Sequence, residues 1–191
     1  MKHPFAPLLT SKTKQILVGT LPPETATFYF SNSSNTRLWD ILNSIAKKKN
    51  VISSGSNKLT INEKTNILST LDLGIYDIIL EYDRVVKNST KDEHINPKKY
   101  NDLLSLANKN RITKILFVYK NAAKWFLHSL EENHPKKCVE LNYQIEYGVF
   151  KTIKSKHGEI KCILLPSPLN RGKKGETLEF KLEQYRKEII S

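Results

Sequence analysis

The chain has 191 residues, enough for one substantial hydrophobic core and short for two independent domains, so we predict a single domain over residues 1–191. Lys and Arg exceed Asp and Glu by 31 − 19 = 12, which favours a polyanionic partner, although the abundance of Lys, Asn and Ile also fits an AT-rich genome. The only cysteines, Cys138 and Cys162, exclude a disulfide framework, a zinc site with paired cysteine spacing and a four-thiolate iron–sulfur cluster.

The chain shows no targeting or membrane-spanning segment. The opening residues, MKHPFAPLLTSKTK, lack the continuous apolar stretch of a signal peptide, and no apolar run approaches the roughly 18 residues that span a bilayer. We therefore expect a cytoplasmic monomer in a reducing environment, without membrane contact.

In the first half of the chain, predicted strands and helices alternate. The run KQILVGT at 14–20 predicts a buried strand that ends at a Gly-Thr turn before two prolines. RLWDILNSIAKK at 37–48 has helical apolar spacing, and TINEKTNILSTL at 60–71 begins with a Thr-x-x-Glu capping box. GIYDIILEY at 74–82 predicts a second strand, and PKKYNDLLSLANKN at 97–110 predicts a helix that opens with its proline.

The second half continues this alternation. KILFVYK at 114–120 predicts a strand, and NAAKWFLHSLEEN at 121–133 predicts a helix. Residues 138–165 are rich in strand formers, with KHGE at 156–159 as a hairpin turn, and ETLEFKLEQYRKEII at 176–190 predicts a closing helix.

This order of elements predicts a three-layer α/β/α sandwich around a mainly parallel central sheet. Such sheets bind ligands beyond the carboxyl ends of their strands, so we expect chemistry in the loops after Gly19, Tyr82, Lys120 and Pro166. The β-rich segment at about 138–158 is predicted to be an insert.

The loop at 19–35, GTLPPETATFYFSNSSN, combines a glycine turn, two prolines, three consecutive aromatic residues and several Asn and Ser residues. Its GTLPP start lacks the glycines of a phosphate-binding loop. By residue type alone, the aromatic triplet at 28–30 is typical of core packing as well as of base stacking. Asn35 is typical of a helix N-cap as well as of a catalytic amide.

Two loops taken together carry a resemblance to a known family. LVGTLPP and FYFSNSSNTRLWDIL near the start, and LLPSPLN near the end, resemble the two signature motifs of the uracil-DNA glycosylase superfamily. LGIYDIILEYDR resembles its central strand and the arginine beyond it. The resemblance spans residues 3–190 apart from the insert, and it is closest to the hypoxanthine-DNA and mismatch-specific branches. It implies a monofunctional DNA glycosylase of base excision repair, with no cofactor and no metal.

Two positions depart from the uracil-specific branches. There, an Asp or Asn in the first motif positions the attacking water, and a His or Asn at the start of the second steadies charge on the departing base. Leu21 and Leu165 stand at these places. The hypoxanthine-type branch resembles this chain in lacking both polar groups, and there the asparagine matched by Asn35 is the important polar residue. Hypoxanthine, uracil and xanthine stay open as substrates.

The resemblance implies Asn35 and Asp77 as the catalytic residues. Asn35 would orient a water or hold the base by its amide. Asp77, at the end of the second strand, is expected to read a base edge, with a structural bond to a residue such as Arg84 as the alternative. Backbone N–H groups of the GTLPP loop would stabilise the departing base. The predicted base-binding residues are Gly19, Thr20, Leu21 and Phe30, the last in the family's stacking position.

DNA contacts are expected in the second loop and its basic extension. A base inside a duplex cannot be reached, so such an enzyme flips the nucleotide, and phosphate contacts help to offset the unstacking cost. Leu169 is the candidate for an apolar wedge, whereas Arg171 is expected to contact phosphate. The predicted DNA-binding residues are Ser167, Pro168, Leu169, Asn170, Arg171, Lys173 and Lys174. The five histidines have no metal-ligand spacing and receive no chemical role.

Two alternatives remain open. A DNA-binding protein that kept this fold and lost turnover would be consistent with leucine at positions 21 and 165. An enzyme that cleaves the same bond in free nucleosides would need no basic surface, so the charge of +12 argues against it.

Overall fold

The computed structural model of the chain describes residues 1–30, 36–48, 59–87, 89, 91–137, 144–170 and 176–191. The strands within these residues are β1 (Gln15–Gly19), β2 (Leu73–Asp77), β3 (Ile79–Arg84), β4 (Ile95–Tyr100), β5 (Lys114–Phe117), β6 (Gly148–Ser155) and β7 (Gly158–Leu164). The helices are α1 (Leu38–Ala46), α2 (Ile61–Thr70), α3 (Leu103–Asn110), α4 (Lys120–Asn133) and α5 (Leu178–Ile190).

The central sheet has the strand order β2-β1-β5-β7-β6, in which four parallel strands are followed by the antiparallel edge strand β6. Every residue of β1 and β2 is buried, as expected for parallel strands covered on both faces. The register pairs Gly19 with Asp77 and Phe117 with Leu164. The carboxyl ends of these four strands therefore line one edge of the sheet.

Helices cover both faces of this sheet. β1 connects to β2 through α1 and α2, whereas β5 connects to β7, in the opposite direction across the sheet, through α4. Right-handed crossovers place these two connections on opposite faces. α5 packs against α1 and completes the first helical layer. The predicted three-layer α/β/α sandwich is confirmed. Within the described part of the chain, no helix has both the length and the apolar character needed to cross a bilayer.

Side-chain caps determine where two of the helices begin. The Thr60 hydroxyl accepts from the Glu63 N–H at 3.2 Å, and the Glu63 carboxylate accepts from the Thr60 N–H at 2.7 Å, which confirms the predicted capping box. Thr177 caps α5 by accepting from the Phe180 N–H at 3.2 Å. Each cap of this kind stabilises its helix by about 1 kcal/mol.

The prediction of one strand over 74–82 is wrong. β2 ends at Asp77, and after Ile78 the chain leaves the central sheet and forms β3. β3 pairs with β4 in a separate two-stranded antiparallel sheet, and Glu81 also forms an isolated bridge with Lys2. No Gly or Pro lies between Asp77 and Ile79 to mark this break.

The prediction that a helix begins at Pro97 is also wrong. Pro97 lies within β4, and α3 begins at Leu103, where the Asp102 carboxylate accepts from the Ser105 N–H at 2.9 Å. A proline is tolerated in β4 because both strands of a two-stranded sheet are edge strands.

The predicted hairpin at 156–159 is confirmed, since β6 and β7 pair from Ser155 and Gly158 outward. Gly158 has a φ of +114°, which a glycine adopts readily. Of the segment predicted as an insert at 138–158, residues 138–143 lie outside the described residues, and β6 supplies the edge strand of the central sheet.

Candidate active site

The loops that follow β1 and β7 lie against each other at the carboxyl edge of the sheet. The backbones of Thr36 and Leu169 form an isolated bridge, and the Arg37 N–H donates to the Pro168 carbonyl at 2.7 Å. The two segments that carry the predicted motifs are therefore neighbours in space, although they are far apart in sequence.

Because Gly19 has no side chain, a carboxylate and an aromatic ring can both lie against the end of β1. A Cβ at this position would lie 2.4 Å from Asp77 Oδ1 and 2.7 Å from Phe30 Cζ, so any larger residue would displace one of them. Phe30 has a φ of +50°, in the left-handed region that aromatic residues rarely adopt. Such backbone strain is concentrated at functional sites in proteins. The Phe30 ring lies 6.1 Å from the Tyr119 ring, at 34° to it.

Asp77 is buried, and its carboxylate bonds to a histidine. Oδ2 lies 3.0 Å from His3 Nε2, and the Asp77 backbone carbonyl accepts from the Asn101 amide at 2.8 Å. The predicted alternative, a structural bond from Asp77 to a neighbouring loop, is seen with His3 and not with Arg84, whose Nε pairs with Glu24 Oε1 at 3.1 Å. The Arg84 guanidinium also donates to the Pro22 carbonyl at 3.2 Å, so it fastens β3 to the loop after β1.

His3 received no role from the sequence, and its place at this edge comes from backbone pairing. Its N–H donates to the Leu80 carbonyl at 2.8 Å, and Leu8 exchanges two 3.1 Å hydrogen bonds with Ile75. The segment before β1 therefore runs along β2 and β3. No pattern in the sequence indicates this pairing.

A second carboxylate, Asp92, lies in a 3-10 turn before β4. The Asn121 amide donates to Asp92 Oδ2 at 3.0 Å, and the Thr20 side chain is also hydrogen-bonded to it. Burial raises the pKa of Asp92, and the negative charge of nearby Asp77 adds to the rise, while the hydrogen bonds oppose it. Asp92 lies outside every predicted motif.

Tyr119, the residue before α4, is close to both carboxylates. Burial raises the pKa of its phenol, and the charges of Asp92 and Asp77 add to this effect. Its side chain is hydrogen-bonded to Thr36 in the first motif. Tyr119 is therefore a neutral phenol at neutral pH that packs beside Phe30.

The two leucines that replace the family's polar groups have different environments. Leu165 is fully buried, and its N–H donates to the Phe117 carbonyl at 2.9 Å, so it continues the sheet. Leu21 is only partly buried and packs against the core. Thr20, between Gly19 and Leu21, is buried and contacts Asp92.

α5 supports the second loop from behind. The Lys181 ammonium donates to the Leu169 carbonyl at 2.6 Å, and the Tyr185 hydroxyl donates to the Pro166 carbonyl at 3.0 Å. Ser167 accepts from the Leu169 N–H at 3.4 Å. In the predicted DNA-binding set, Pro168 is buried, Ser167 and Leu169 are half-buried, and Asn170 is exposed.

The remaining predicted site residues, Asn35, Arg171, Lys173 and Lys174, lie outside the described residues. The alternative role of Asn35 as a helix N-cap is wrong, because α1 begins at Leu38 with Arg37 as its cap residue. The Leu38 N–H instead donates a hydrogen bond to the Thr36 hydroxyl oxygen at 3.4 Å. Across the described ranges, no group of three or more His, Cys, Asp and Glu side chains could hold a metal ion.

Comparison with known proteins shows a likeness in fold to a solved structure. No family model and no curated protein matches the sequence. The chain superposes on the solution NMR structure of a "putative Uracil DNA glycosylase" from Methanosarcina acetivorans with a TM-score of 0.63, and the match covers 100% of this chain and 99% of that one. The sequence identity is 15%, so the likeness shows a shared fold, which is the fold that the sequence resemblance implied.

Proposed function

We propose that the chain is a DNA glycosylase that flips a deaminated base out of DNA and hydrolyses its N-glycosidic bond. The observation that carries this proposal is the convergence of Asp77, Phe30 and the two motif loops at the carboxyl edge of the sheet. The fold, shared with a protein described as a glycosylase, and the formal charge of +12 support it.

Asp77 suits a deaminated base for a chemical reason. Deamination of adenine or cytosine converts a ring nitrogen that accepts a hydrogen bond into an N–H that donates one. An ionised carboxylate only accepts hydrogen bonds, so it favours the N–H of hypoxanthine or uracil and repels the lone pair of the parent base. Oδ1 of Asp77 faces Gly19 and Phe30, while Oδ2 is bonded to His3. We assign Oδ1 to the base edge.

Phe30 supplies the aromatic surface on which the base would stack. A base stacked on an aromatic side chain gains roughly 1–3 kcal/mol. Tyr119 supports the Phe30 ring, and the loop containing Phe30 is held by the bond from the Trp39 indole N–H to the Tyr29 carbonyl at 3.1 Å. The base would then present its edge to Asp77 while its face contacts Phe30.

Hydrolysis develops positive charge on the sugar and negative charge on the departing base. Asp77 does not stabilise a negative base, so its role is recognition. Leu21 and Leu165 can neither bind water nor stabilise the base, which leaves Asn35 to orient the water or hold the base. Backbone N–H groups in the loop after β1 would stabilise the leaving base.

DNA would lie across both motif loops. Leu169 is the proposed wedge, and its carbonyl is fixed by Lys181. Arg171, Lys173 and Lys174 follow in the chain and would neutralise phosphates. Ser167, Pro168 and Asn170 would contact the backbone of the DNA around the flipped nucleotide.

A panel of duplexes that contain uracil, hypoxanthine or xanthine tests the proposal. Alkali treatment after incubation with the protein converts abasic sites into strand breaks, and we expect breaks at hypoxanthine at least. Binding to these duplexes without breaks would identify a non-catalytic DNA-binding protein, for which the buried Leu165 is the supporting observation. Release of hypoxanthine from free inosine, with no activity on DNA, would identify a nucleoside hydrolase.

A further inference from the structure

We infer that His3 is a positioning residue for Asp77: it holds one oxygen of the Asp77 carboxylate so that the other oxygen faces the base. The inference rests on the proposed function, because it concerns how Asp77 reads a base edge. His3 Nε2 lies 3.0 Å from Asp77 Oδ2, and the two side chains are 1% and 4% exposed. Because a carboxylate only accepts hydrogen bonds, Nε2 carries the proton in this bond.

The His3 ring is fixed on all sides. With the proton on Nε2, Nδ1 accepts from the Phe5 N–H at 3.1 Å, so the Phe5 backbone holds the nitrogen opposite Asp77. The Phe5 carbonyl oxygen lies 2.8 Å from Nδ1 and shares no proton with it in this tautomer. The ring stacks on Tyr29 with 5.9 Å between centroids and meets the edges of Phe5 and Tyr76. His3 therefore offers Asp77 one donor in one orientation.

The hydrogen bond from His3 gives the two carboxylate oxygens of Asp77 different roles. With Oδ2 held by His3, Oδ1 is directed at Gly19 and the Phe30 ring. Without the donor, the carboxylate can rotate about its Cβ–Cγ bond and Oδ1 loses its fixed direction. The expected consequence is weaker discrimination between bases with and without the ring N–H.

A second His–Asp pair in the molecule provides a matched control. His134 Nε2 lies 2.8 Å from Asp102 Oδ1, but these side chains are 24% and 35% exposed, and Asp102 also caps α3. This pair therefore has a structural role in the connection between α3 and α4. Asp77 caps none of the described helices, so its bond to His3 does not complete a helix end.

The test compares His3→Gln, His3→Leu and His134→Gln. Each variant is given duplexes with hypoxanthine or 1-methylhypoxanthine, in which a methyl group replaces the N1 proton, and the ratio of single-turnover cleavage rates is measured. We expect His3→Leu to reduce the wild-type ratio roughly tenfold. His3→Gln, whose amide N–H can replace Nε2–H, should restore most of the ratio, and His134→Gln should leave it unchanged.

A merely structural role would lower both rates together and keep their ratio, so an unchanged ratio in His3→Leu overturns the inference. If His3→Leu does not fold, His3→Asn serves instead, because its shorter amide does not reach Asp77. A wild-type protein that cleaves no base refutes the proposed function rather than this inference. In that case the ratio of equilibrium affinities for the same two duplexes is compared among the variants, and the same criteria apply.

Discussion

Two clusters of polar side chains in the molecule are built in different ways. At the carboxyl edge of the sheet, Asp77, Asp92 and Tyr119 come from three separate elements, and the carboxylate charges raise the pKa values of Asp92 and Tyr119 beyond the effect of burial. In the second cluster, Asp102 bonds to the Ser105 N–H of its own helix and to His134 at the end of α4. The second cluster therefore completes helix ends, whereas the members of the first are partly desolvated and perturb one another, which is typical of functional sites.

A cavity at the amino edge makes the contrast clearer. It has a volume of about 310 Å³ and is lined by Leu104, Asn108, His134, Lys154, Ser155 and Lys156. This lining contains no Phe, Tyr or Trp ring on which a base could stack and no carboxylate to read an N–H. The chemistry expected of a base pocket is thus found at the opposite edge, where Phe30 and Asp77 meet over Gly19.

The largest expected effect concerns Asn35 in the first loop. We predict that Asn35→Ala reduces single-turnover cleavage by about 10²–10³-fold while DNA affinity changes far less, since one well-placed polar group is lost. Because α1 is capped at Arg37, thermal unfolding should show little loss of stability. The Asn35→Asp variant tests whether Asn35 donates or accepts the essential hydrogen bond, because an aspartate carboxylate accepts hydrogen bonds but cannot donate them. Full activity of the Asp variant would exclude donation by Asn35, and normal cleavage by the Ala variant would exclude any role.

The next largest effect is expected from a comparison of Asp77 with Asp102. In Asp77→Asn, the His3 donor should take the amide oxygen, so the amide NH2 would face the base and oppose its N–H. We predict a loss of roughly 10–100-fold in cleavage at hypoxanthine, which corresponds to one lost specific contact. Asp102→Asn is the control and should cleave at the wild-type rate. Equal rates for both variants would remove Asp77 from the site.

A smaller effect concerns the cations that follow the second motif loop in the chain. Changing Arg171, Lys173 and Lys174 together to Ala should weaken binding to damaged and undamaged duplex alike. It should also flatten the dependence of log affinity on log salt by about 0.9 per lost phosphate contact. Lys154→Ala with Lys156→Ala, at the amino edge, should leave the slope unchanged. DNA-binding titrations at several salt concentrations measure both salt slopes. A slope that flattens only when Lys154 and Lys156 are changed would place the DNA at the amino edge of the sheet.

Most of the central sheet could be predicted from local patterns. Short apolar runs such as 114–117 and capping residues such as Thr60 indicate their structure within a few residues, although the predicted strand over 114–120 ends at Phe117 and α4 begins at Lys120. The β3–β4 hairpin could not be predicted, because no Gly or Pro separates Asp77 from Ile79. The position of Pro97 was equally difficult to predict, because a proline suits the first turn of a helix as well as an edge strand.

The candidate site could be predicted only where it coincides with the motifs. Gly19, Phe30 and Asp77 are predicted site residues, and the structure brings them together. His3 and Asp92 reach the same edge through pairing and through the unpredicted hairpin, so nothing in their own neighbourhoods indicated it. Residues that act through tertiary contacts leave no local pattern in one sequence.

The smallest expected effect is a difference in sign between Asp102 and Asp92. Burial acts to raise the pKa of Asp102, but hydrogen bonds from Ser105 and His134 outweigh it and lower the pKa, whereas burial raises the pKa of Asp92. An aspartate with a lowered folded pKa contributes stability that is present above its unfolded pKa, about 3.9, and is lost as the pH falls through the folded pKa. An aspartate with a raised folded pKa has the opposite effect, so its stability contribution declines as the pH rises from about 3.9 through the folded pKa. Relative to wild type, Asp102→Asn should therefore become less stable with rising pH, and Asp92→Asn should become more stable. Thermal unfolding from about pH 3 to pH 7 measures both differences, and slopes of the same sign would contradict the contrast between the two clusters.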